Sequence, residues 1–302
     1  MSKTSTITIA CALCVGSAPE RYLAPALAAI ADVVDTLVVN DNSGLARSPN
    51  IATLEANAFA REGRLQIARH PFVDFADMRN RAYAELETLA VRPDWILFLD
   101  ADEVHGEQLR YIAREILPGL PASVGSVDAY TYHFFGTFRW ISDVARRSVF
   151  FRYDPAIRWE NAVHERAIGV RGTSVVLPYT YHHYGNVATP AALAEKHGRY
   201  FDLGNPVERP PTPEAATRDV YLAKAADVRP FRSPHPHVAR ATLADLETEY
   251  AVEFALVDAG FVARRTLAMR AAAGLRGANE ALRVALRRVQ QPGSYRETTH
   301  AR

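Results

Sequence analysis

The sequence predicts an α/β fold: a doubly wound, mostly parallel sheet with a helical region after it. Short apolar runs typical of buried strands alternate with helix-like segments through the first part of the chain. One run, Ile96–Leu99, is continuously apolar, as expected of a strand buried on both faces of a parallel sheet. Asp100, Asp102 and Glu103 follow it at once, and open α/β sheets bind ligands at the carboxyl ends of their strands.

The other elements follow from composition and turn signals. Strands are expected over runs rich in β-branched residues, and helices over runs rich in alanine and leucine. The predicted strands are Thr6–Val15, Thr36–Val39, Leu65–Ala68, Ile96–Leu99, Val127–Phe135 and Ser148–Tyr153, and the predicted helices are Glu20–Ala31, Ile51–Arg61, Phe75–Ala90 and His105–Leu117. An aromatic loop is expected over Phe138–Asp143, where the rings either stack on a sugar or cap the core.

The last third of the chain differs in composition. We expect one α/β domain in residues 1–188 and a helical C-terminal region in residues 189–302. Its predicted helices, separated by proline-rich connections, are Ala191–Leu203, Glu214–Ala226 and Ala241 to about Gln290. The stretch Phe261–Gln290 contains seven arginines against one glutamate. Its helices therefore either present a solvated face or lie on an anionic membrane surface.

Bulk properties restrict the class of protein. The 302 residues carry a formal net charge of only +1, which argues against a nucleic-acid partner. No signal peptide and no membrane-spanning apolar run is evident, so the expected location is the cytoplasm, with the inner face of the membrane as an alternative.

Cys11 and Cys14 are spaced as a redox pair or half a zinc site. Because strand residues three apart point to opposite faces and no second pair exists, structural thiols are favoured.

The three carboxylates after the fourth strand predict a metal site. Asp100, Asp102 and Glu103 repel one another, and a divalent cation relieves that repulsion because carboxylate oxygens are its natural ligands. The alternative is an acidic helix N-terminus, which the helix macrodipole also stabilises.

Two sequence motifs together resemble those of a known family. The segment FADMRNRAY, with Arg79 and Asn80, precedes WILFLDADE by about twenty residues. The combination resembles the nucleotide-sugar domain of family 2 glycosyltransferases, over about residues 5–185. The resemblance implies the GT-A fold, a nucleotide-sugar donor (a UDP-sugar above all), Mg²⁺ or Mn²⁺ as cofactor, and a saccharide, glycolipid or peptide acceptor.

The resemblance also implies roles for residues on the donor side. Asp100, Ala101 and Asp102 would bind the nucleotide sugar, with both aspartates near the metal, and Arg79 would contact the diphosphate. Asp41 would recognise the nucleobase, although this loop has Asn40 where the family usually has aspartate, and an Asx-turn explains Asp41 equally well.

Two histidine elements complete the resemblance. Trp159–Glu165 contains a V-H-E element of the acceptor side, and YTYHHYG matches an H-x-G strand end. His164 and His182 are expected as metal ligands and Glu165 as the base, with Asp143 behind it. Adjacent strand residues point to opposite faces, so only one of His182 and His183 should face the cleft, and His164 and Glu165 need a loop or bulge to point inward together.

The mechanism implied by the resemblance is a single displacement at the anomeric carbon, which inverts its configuration. Three functions remain open. The chain is either an active transferase or a binding or scaffold protein with the same fold, and the altered Asn40 loop favours the scaffold. A third reading, less favoured, takes DADEV as the nucleophile motif of haloacid-dehalogenase-like phosphatases, with Asp100 phosphorylated.

Overall fold

A computed structural model describes residues 7–204 and 227–264, the segment 296–299, and single positions at 212, 271, 274, 275, 278, 279 and 282. The strands are β1 (Ile9–Val15), β2 (Thr36–Asp41), β3 (Leu65–Arg69), β4 (Trp95–Asp100), β5 (Glu103–Val104), β6 (Val124–Phe135), β7 (Thr137–Arg152), β8 (Arg158–Glu160), β9 (Arg166–Ile168), β10 (Thr173–Asn186), β11 (Arg229–Pro230) and β12 (Arg296–Thr299). The helices are α1 (Leu23–Ile30), α2 (Ile51–Ala56), α3 (Ala58–Arg61), α4 (Phe75–Glu85), α5 (Gln108–Tyr111), α6 (Pro190–Asp202), α7 (Arg240–Glu249) and α8 (Ala251–Arg264).

Ten of these strands form one mixed sheet in the order β12-β10-β6-β7-β4-β1-β2-β3, with β11 paired to β7 and β5 to β10, while β8 and β9 pair separately. The strands β3, β2, β1 and β4 are parallel. Because β2 and β3 lie on one side of β1 and β4 on the other, the strand order reverses between β1 and β4. This switch point, where Cys14 is in register with Asp100, is where open α/β sheets bind ligands.

Helices cover both faces of the parallel half. Cys11 and Leu13 of β1 lie in the same core cluster as Leu23 and Leu27 of α1. The residue between them, Ala12, faces the opposite way and shares a second core cluster with part of α4. Alternate residues of one strand thus face different helices, as the strand period of two requires. The predicted fold class, an α/β domain with C-terminal helices, is confirmed.

The second half of the sheet differs from the prediction. The strand β7 is continuous from Thr137 to Arg152, so the predicted aromatic loop is wrong. Gly136, at φ 76°, turns the chain tightly enough for β6 and β7 to pair directly after it. Phe138 and Trp140 therefore lie in the sheet, 3% and 7% exposed, where they pack in the core rather than offer a face to a sugar.

The helices of the first domain are shorter than predicted, and in two cases the structure shows the cause. The helix expected at His105 begins at Gln108, because Glu103 and Val104 form β5 and pair with β10. The helix expected over residues 51–61 is divided at Asn57, whose extended backbone ends α2 and whose side chain accepts from the Ala60 amide at the start of α3.

The C-terminal predictions are tested only in part. The predicted helix over residues 191–203 is present as α6, and the start of the long predicted helical stretch appears as α7 and α8. The helix predicted over residues 214–226, and most of the arginine-rich stretch 261–290, lie outside the described residues. Among the helices that are described, none has the length and apolar character to cross a membrane. The division into domains at residue 188 stays a prediction.

Candidate active site

The acidic residues lie at the carboxyl end of β4, beside the switch point. The side chains of Asp100 and Asp102 are each 26% exposed, whereas the Glu103 side chain is only 5% exposed. The residue between the aspartates, Ala101, is buried. The two aspartates therefore reach the protein surface, whereas Glu103 is buried.

Arg79 connects α4 to this cluster. Its Nη2 donates to both carboxylate oxygens of Asp100 at 2.8 and 3.1 Å, and its Nε donates to Glu165 at 2.7 Å. Burial acts to raise the pKa of Asp100, but the charges of Arg79, Arg147 and His183 and the hydrogen bond from Arg79 together hold that pKa below its ordinary value. The predicted site residues Arg79, Asp100 and Glu165 are thus brought together, with a guanidinium only 10% exposed between two carboxylates.

The loop that carries Glu165 is fixed by Asn80, a residue whose role the sequence did not reveal. Its side-chain amide donates to the Trp159 carbonyl at 2.9 Å, and its carbonyl oxygen accepts from the Trp159 amide at 2.8 Å. The loop between β8 and β9 contains two non-glycine residues at positive φ, Asn161 at 76° and His164 at 57°. Left-handed backbone of this kind is sparse outside glycine and is often found at functional sites.

The V-H-E element forms a loop, which is the geometry that His164 and Glu165 would need in order to point inward together. Only Glu165 does so. Glu165 faces Arg79, whereas His164 is exposed to solvent. The predicted role of His164 as a metal ligand stays a prediction.

The histidine that approaches the acidic cluster is His183. Its Nε2 lies 3.4 Å from Oδ1 of Asp102, and its side chain is 13% exposed. His182 points to the other face of β10, where its ring stacks on Phe134 and Tyr184. The prediction of His182 as a metal ligand therefore disagrees with the structure. The sequence showed that one of the two faces the cleft, but the register of β10 decides which one.

The close approach of Asp102 to His183 depends on Gly185. A Cβ at this position would lie 2.2 Å from Oδ2 of Asp102 and 2.9 Å from the His183 ring. Tyr184, the residue before it, donates its backbone amide to the Asp102 carbonyl at 2.9 Å. The H-x-G element therefore supplies both the imidazole and the space beside it.

A divalent cation fits the Asp102–His183 pair. Oδ1 of Asp102 is buried and has no hydrogen-bond partner, although the imidazole faces it. Burial lowers the pKa of His183 against the opposing charge of Asp102, which keeps the ring in its neutral, ligating form. Within the described part of the chain, no group of three or more His, Cys, Asp or Glu side chains is placed to hold a metal. The Asp102 carboxylate suits Mg²⁺ and Mn²⁺, which take their remaining ligands from water and substrate phosphates, whereas the imidazole suits a transition metal such as Mn²⁺ better than Mg²⁺.

Arg147 and Glu103 form a second pair that the sequence analysis missed. Arg147 Nη1 lies 3.2 Å from Oε1 of Glu103, and its side chain is 40% exposed. Burial and the charge of Asp100 raise the pKa of Glu103 to about 8, against the effect of Arg147. No sequence signal pointed to Arg147, because it lies between the predicted loop that ends at Asp143 and the predicted strand that begins at Ser148.

The two remaining predicted residues lie at the edges of the site. Asp41 lines a cavity of about 180 Å³ with Arg69 and His70, and its Oδ1 accepts from the Ser43 amide as in the Asx-turn alternative. Recognition of a nucleobase by Asp41 stays a prediction. Asp143 is exposed on β7, in register with His133. Neither Asp41 nor Asp143 contacts Asp102 among the described contacts.

The cysteines are free thiols, as the structural alternative requires. Cys11 is buried in the core, and Cys14 faces the carbonyl of Met78 at 3.6 Å. Burial raises the pKa of Cys14 to about 12, so this thiol stays protonated and unreactive at neutral pH.

No protein-family model matches the chain. No curated protein matches it. Similar solved structures include a glucosyl-3-phosphoglycerate synthase from Mycobacterium tuberculosis in complex with Mn²⁺, UDP and glucosyl-3-phosphoglycerate, which is 16% identical over 42% of this chain and 45% of that chain, with a TM-score of 0.31. A 4-diphosphocytidyl-2C-methyl-D-erythritol synthase is 19% identical over 49% and 76%, with a TM-score of 0.33. GalNAc-T7 with UDP, GalNAc and Mn²⁺ is 8% identical over 54% and 30%, with a TM-score of 0.33.

The chain spans 45% of the length of the first of these proteins. TM-scores this low carry no functional conclusion, so the function is inferred from the residues of this chain.

Proposed function

We propose that this chain is a metal-dependent glycosyltransferase, which moves a sugar from a nucleotide-sugar donor, a UDP-sugar above all, to an acceptor hydroxyl. The observation that carries the proposal is the unpaired carboxylate oxygen of Asp102, which faces the His183 imidazole at the carboxyl end of β4. The resemblance of the DADE and H-x-G segments to family 2 glycosyltransferases of the GT-A type supports it. Asp102 and His183 would hold Mg²⁺ or Mn²⁺, which when bound neutralises charge on the diphosphate leaving group.

Arg79 contributes a second positive charge on the donor side. A guanidinium binds phosphate oxygens in bidentate fashion, and Arg79 lies at the first turns of α4, where the helix dipole also favours an anion. In the described state, Arg79 is occupied by Asp100 and Glu165. Donor binding would therefore exchange carboxylate partners for phosphate oxygens.

Glu165 is the proposed base, with Asp143 as the further candidate. Arg79 occupies Oε1 of Glu165, so Glu165 would act as the base once Arg79 turns toward the diphosphate. The proton would pass from the acceptor hydroxyl to a carboxylate oxygen of Glu165 as that hydroxyl attacks the anomeric carbon. Inversion of configuration is part of the proposal.

The geometry does not favour the phosphatase alternative. Its nucleophile would be Asp100, yet both oxygens of that carboxylate accept from Arg79. The motif also follows the fourth strand of the domain instead of the first. The scaffold alternative shares the binding site with the transferase and differs only in turnover.

The test is thermal-shift binding of UDP, GDP, CMP and TDP with and without Mn²⁺. One nucleotide should stabilise the wild type only with metal, and a nucleotide at 100 times its Kd stabilises by about 2.7 kcal/mol. Asp102→Asn should lose this effect, whereas Asp32→Asn, with a side chain that is 81% exposed, should keep it. If no nucleotide binds, the transferase proposal fails. Binding without hydrolysis of any nucleotide sugar in Mn²⁺ would favour the scaffold.

A further inference from the structure

A second histidine lies behind His183. His133 on β6 is in register with His183 on β10, and the two Nδ1 atoms are 3.1 Å apart. The register between β6 and β7 shifts directly after His133, and such an irregularity re-aims the neighbouring side chains. The result is a row of three groups: Asp102, the His183 ring and the His133 ring.

The row restricts where the His183 proton lies. A hydrogen bond between two Nδ1 atoms requires one ring to donate and the other to accept. On the other side of the ring, Nε2 lies 3.4 Å from Oδ1 of Asp102, which is longer than an ordinary N–H···O hydrogen bond, and Oδ1 accepts no hydrogen bond. The two observations agree if His183 carries its proton on Nδ1 and donates it to His133. The lone pair of Nε2 then faces Asp102.

This is the tautomer that a metal ligand needs. A histidine that binds a cation through Nε2 nearly always donates its other ring N–H to a partner, which fixes the tautomer and the orientation of the ring. That partner is usually a carboxylate, a carbonyl or water. Here the geometry provides a second imidazole.

We propose that His133 is a positioning residue that accepts the Nδ1 proton of His183 and so directs the Nε2 lone pair toward the cation beside Asp102. The inference rests on the proposed function, since it assumes that the cation binds there. It adds a residue on β6 to a site otherwise built from the end of β4, α4, the loop between β8 and β9, and β10.

Two substitutions at one position separate positioning from packing. His133→Leu removes the acceptor, whereas His133→Asn places an amide oxygen near the position of the lost Nδ1. His235→Leu is the matched control, because His235 is also half-buried and also contacts a partner through Nδ1, the Tyr184 hydroxyl at 2.9 Å, but on the other face of β10.

The first measurement is Mn²⁺ affinity, from the free Mn²⁺ signal in electron paramagnetic resonance. His133→Leu should bind Mn²⁺ about 10- to 100-fold more weakly than the wild type, as expected when the partner of a ligating histidine is lost. His133→Asn should recover most of that loss, and His235→Leu should bind as the wild type does. Wild-type affinity in His133→Leu would overturn the inference, and so would an equal loss in His235→Leu.

The second measurement needs no metal. Nitrogen-15 NMR of histidine-labelled protein reports the tautomer of each ring, and His183, assigned by His183→Gln, should carry its proton on Nδ1 in the wild type and in His133→Asn. In His133→Leu the proton should redistribute toward Nε2. An unchanged tautomer would contradict the role of His133 whether or not Mn²⁺ binds. If the wild type shows the expected tautomer but binds no Mn²⁺ with UDP, the proposed function fails and the contact between the histidines stands.

Discussion

Arg79 donates from Nε to Glu165 at 2.7 Å, although the two residues are 86 positions apart in the sequence. The same guanidinium holds Asp100 with its other edge. One nearly buried cation therefore joins the end of β4 to the loop between β8 and β9. This single contact connects the donor side of the proposed site to its proposed base.

Removal of Arg79 should destabilise the protein as well as the site. Arg79→Leu leaves Asp100 and Glu165 without their cation, and loss of one partner of a buried ion pair costs about 3–5 kcal/mol. Arg81→Leu is the matched control, because Arg81 is on the same helix, is 43% exposed and pairs with Asp77. Urea unfolding should show the large loss in Arg79→Leu alone. Equal stability of the two variants would mean that the buried pair contributes little.

Gly185→Ala should abolish Mn²⁺ binding without unfolding the protein. The new Cβ would lie 2.2 Å from Oδ2 of Asp102, so the carboxylate must move away from His183. Gly106→Ala provides the control, since a Cβ there meets no atom within 4 Å. Calorimetric titration with Mn²⁺ should show binding in the wild type and Gly106→Ala, and none in Gly185→Ala. Undiminished binding in Gly185→Ala would exclude the Asp102–His183 pair as the cation site.

Asn80→Ala should release the loop that carries Glu165. The substitution removes both side-chain hydrogen bonds to the Trp159 backbone, at a cost of about 1–3 kcal/mol for each group left unpaired. Hydrogen exchange should therefore accelerate in residues 158–168 more than in the rest of the chain. Asn57→Ala, which removes the cap of α3, should leave exchange in that loop unchanged. A uniform increase in Asn80→Ala would point to global destabilisation instead.

The buried histidines should make the protein sensitive to acid. Burial lowers the pKa of His182 to about 3, below the ordinary value of about 6.5 in an unfolded chain. Between these values the unfolded chain binds a proton that the folded protein does not, so the free energy of unfolding falls as the pH drops below 6.5. His182 accounts for about 2 kcal/mol of the lost unfolding free energy at pH 5, and for almost none of it well above pH 6.5.

His182→Phe tests that share, because a phenyl ring can keep the stack on Phe134. The difference in unfolding free energy between pH 7.5 and pH 5, measured in urea, should be about 2 kcal/mol smaller in His182→Phe than in the wild type. His237→Gln, at an exposed histidine, should retain the full wild-type difference. An unaltered difference in His182→Phe would show that His182 is not the acid-sensitive group.

The parts of the site that the sequence predicted are local in the chain. An apolar run followed by DADE is enough to place Asp100 and Asp102 at a strand end, because the strand and its carboxyl end are read from consecutive residues. Arg79 was predicted in the same way, from its position near the start of a helix. Its ion pairs with Asp100 and with Glu165, which is 86 residues away in the sequence, depend on tertiary packing that no local sequence pattern predicts.

The parts that were missed depend on register between distant strands. The period of two establishes that His182 and His183 face opposite ways, but the pairing of β10 with β6 and β5 decides which of them meets Asp102. The same pairing brings His133 beside His183. The aromatic residues after Gly136 were assigned to a loop because a turn of so few residues leaves little signal in composition.

The late position of β10 in the sequence determines when the proposed site is completed during synthesis. Arg79 and the carboxylates Asp100, Asp102 and Glu103 are complete once the first 103 residues have been synthesised, whereas His183 arrives with β10, which must insert in parallel beside β6 and across β5. Pairings between distant segments form slowly, because the connecting chain must first be ordered. A nascent chain that has not yet added β10 therefore presents the acidic side chains without the imidazole of His183. In the proposed scheme, the capacity to hold the cation appears only when the sheet has closed.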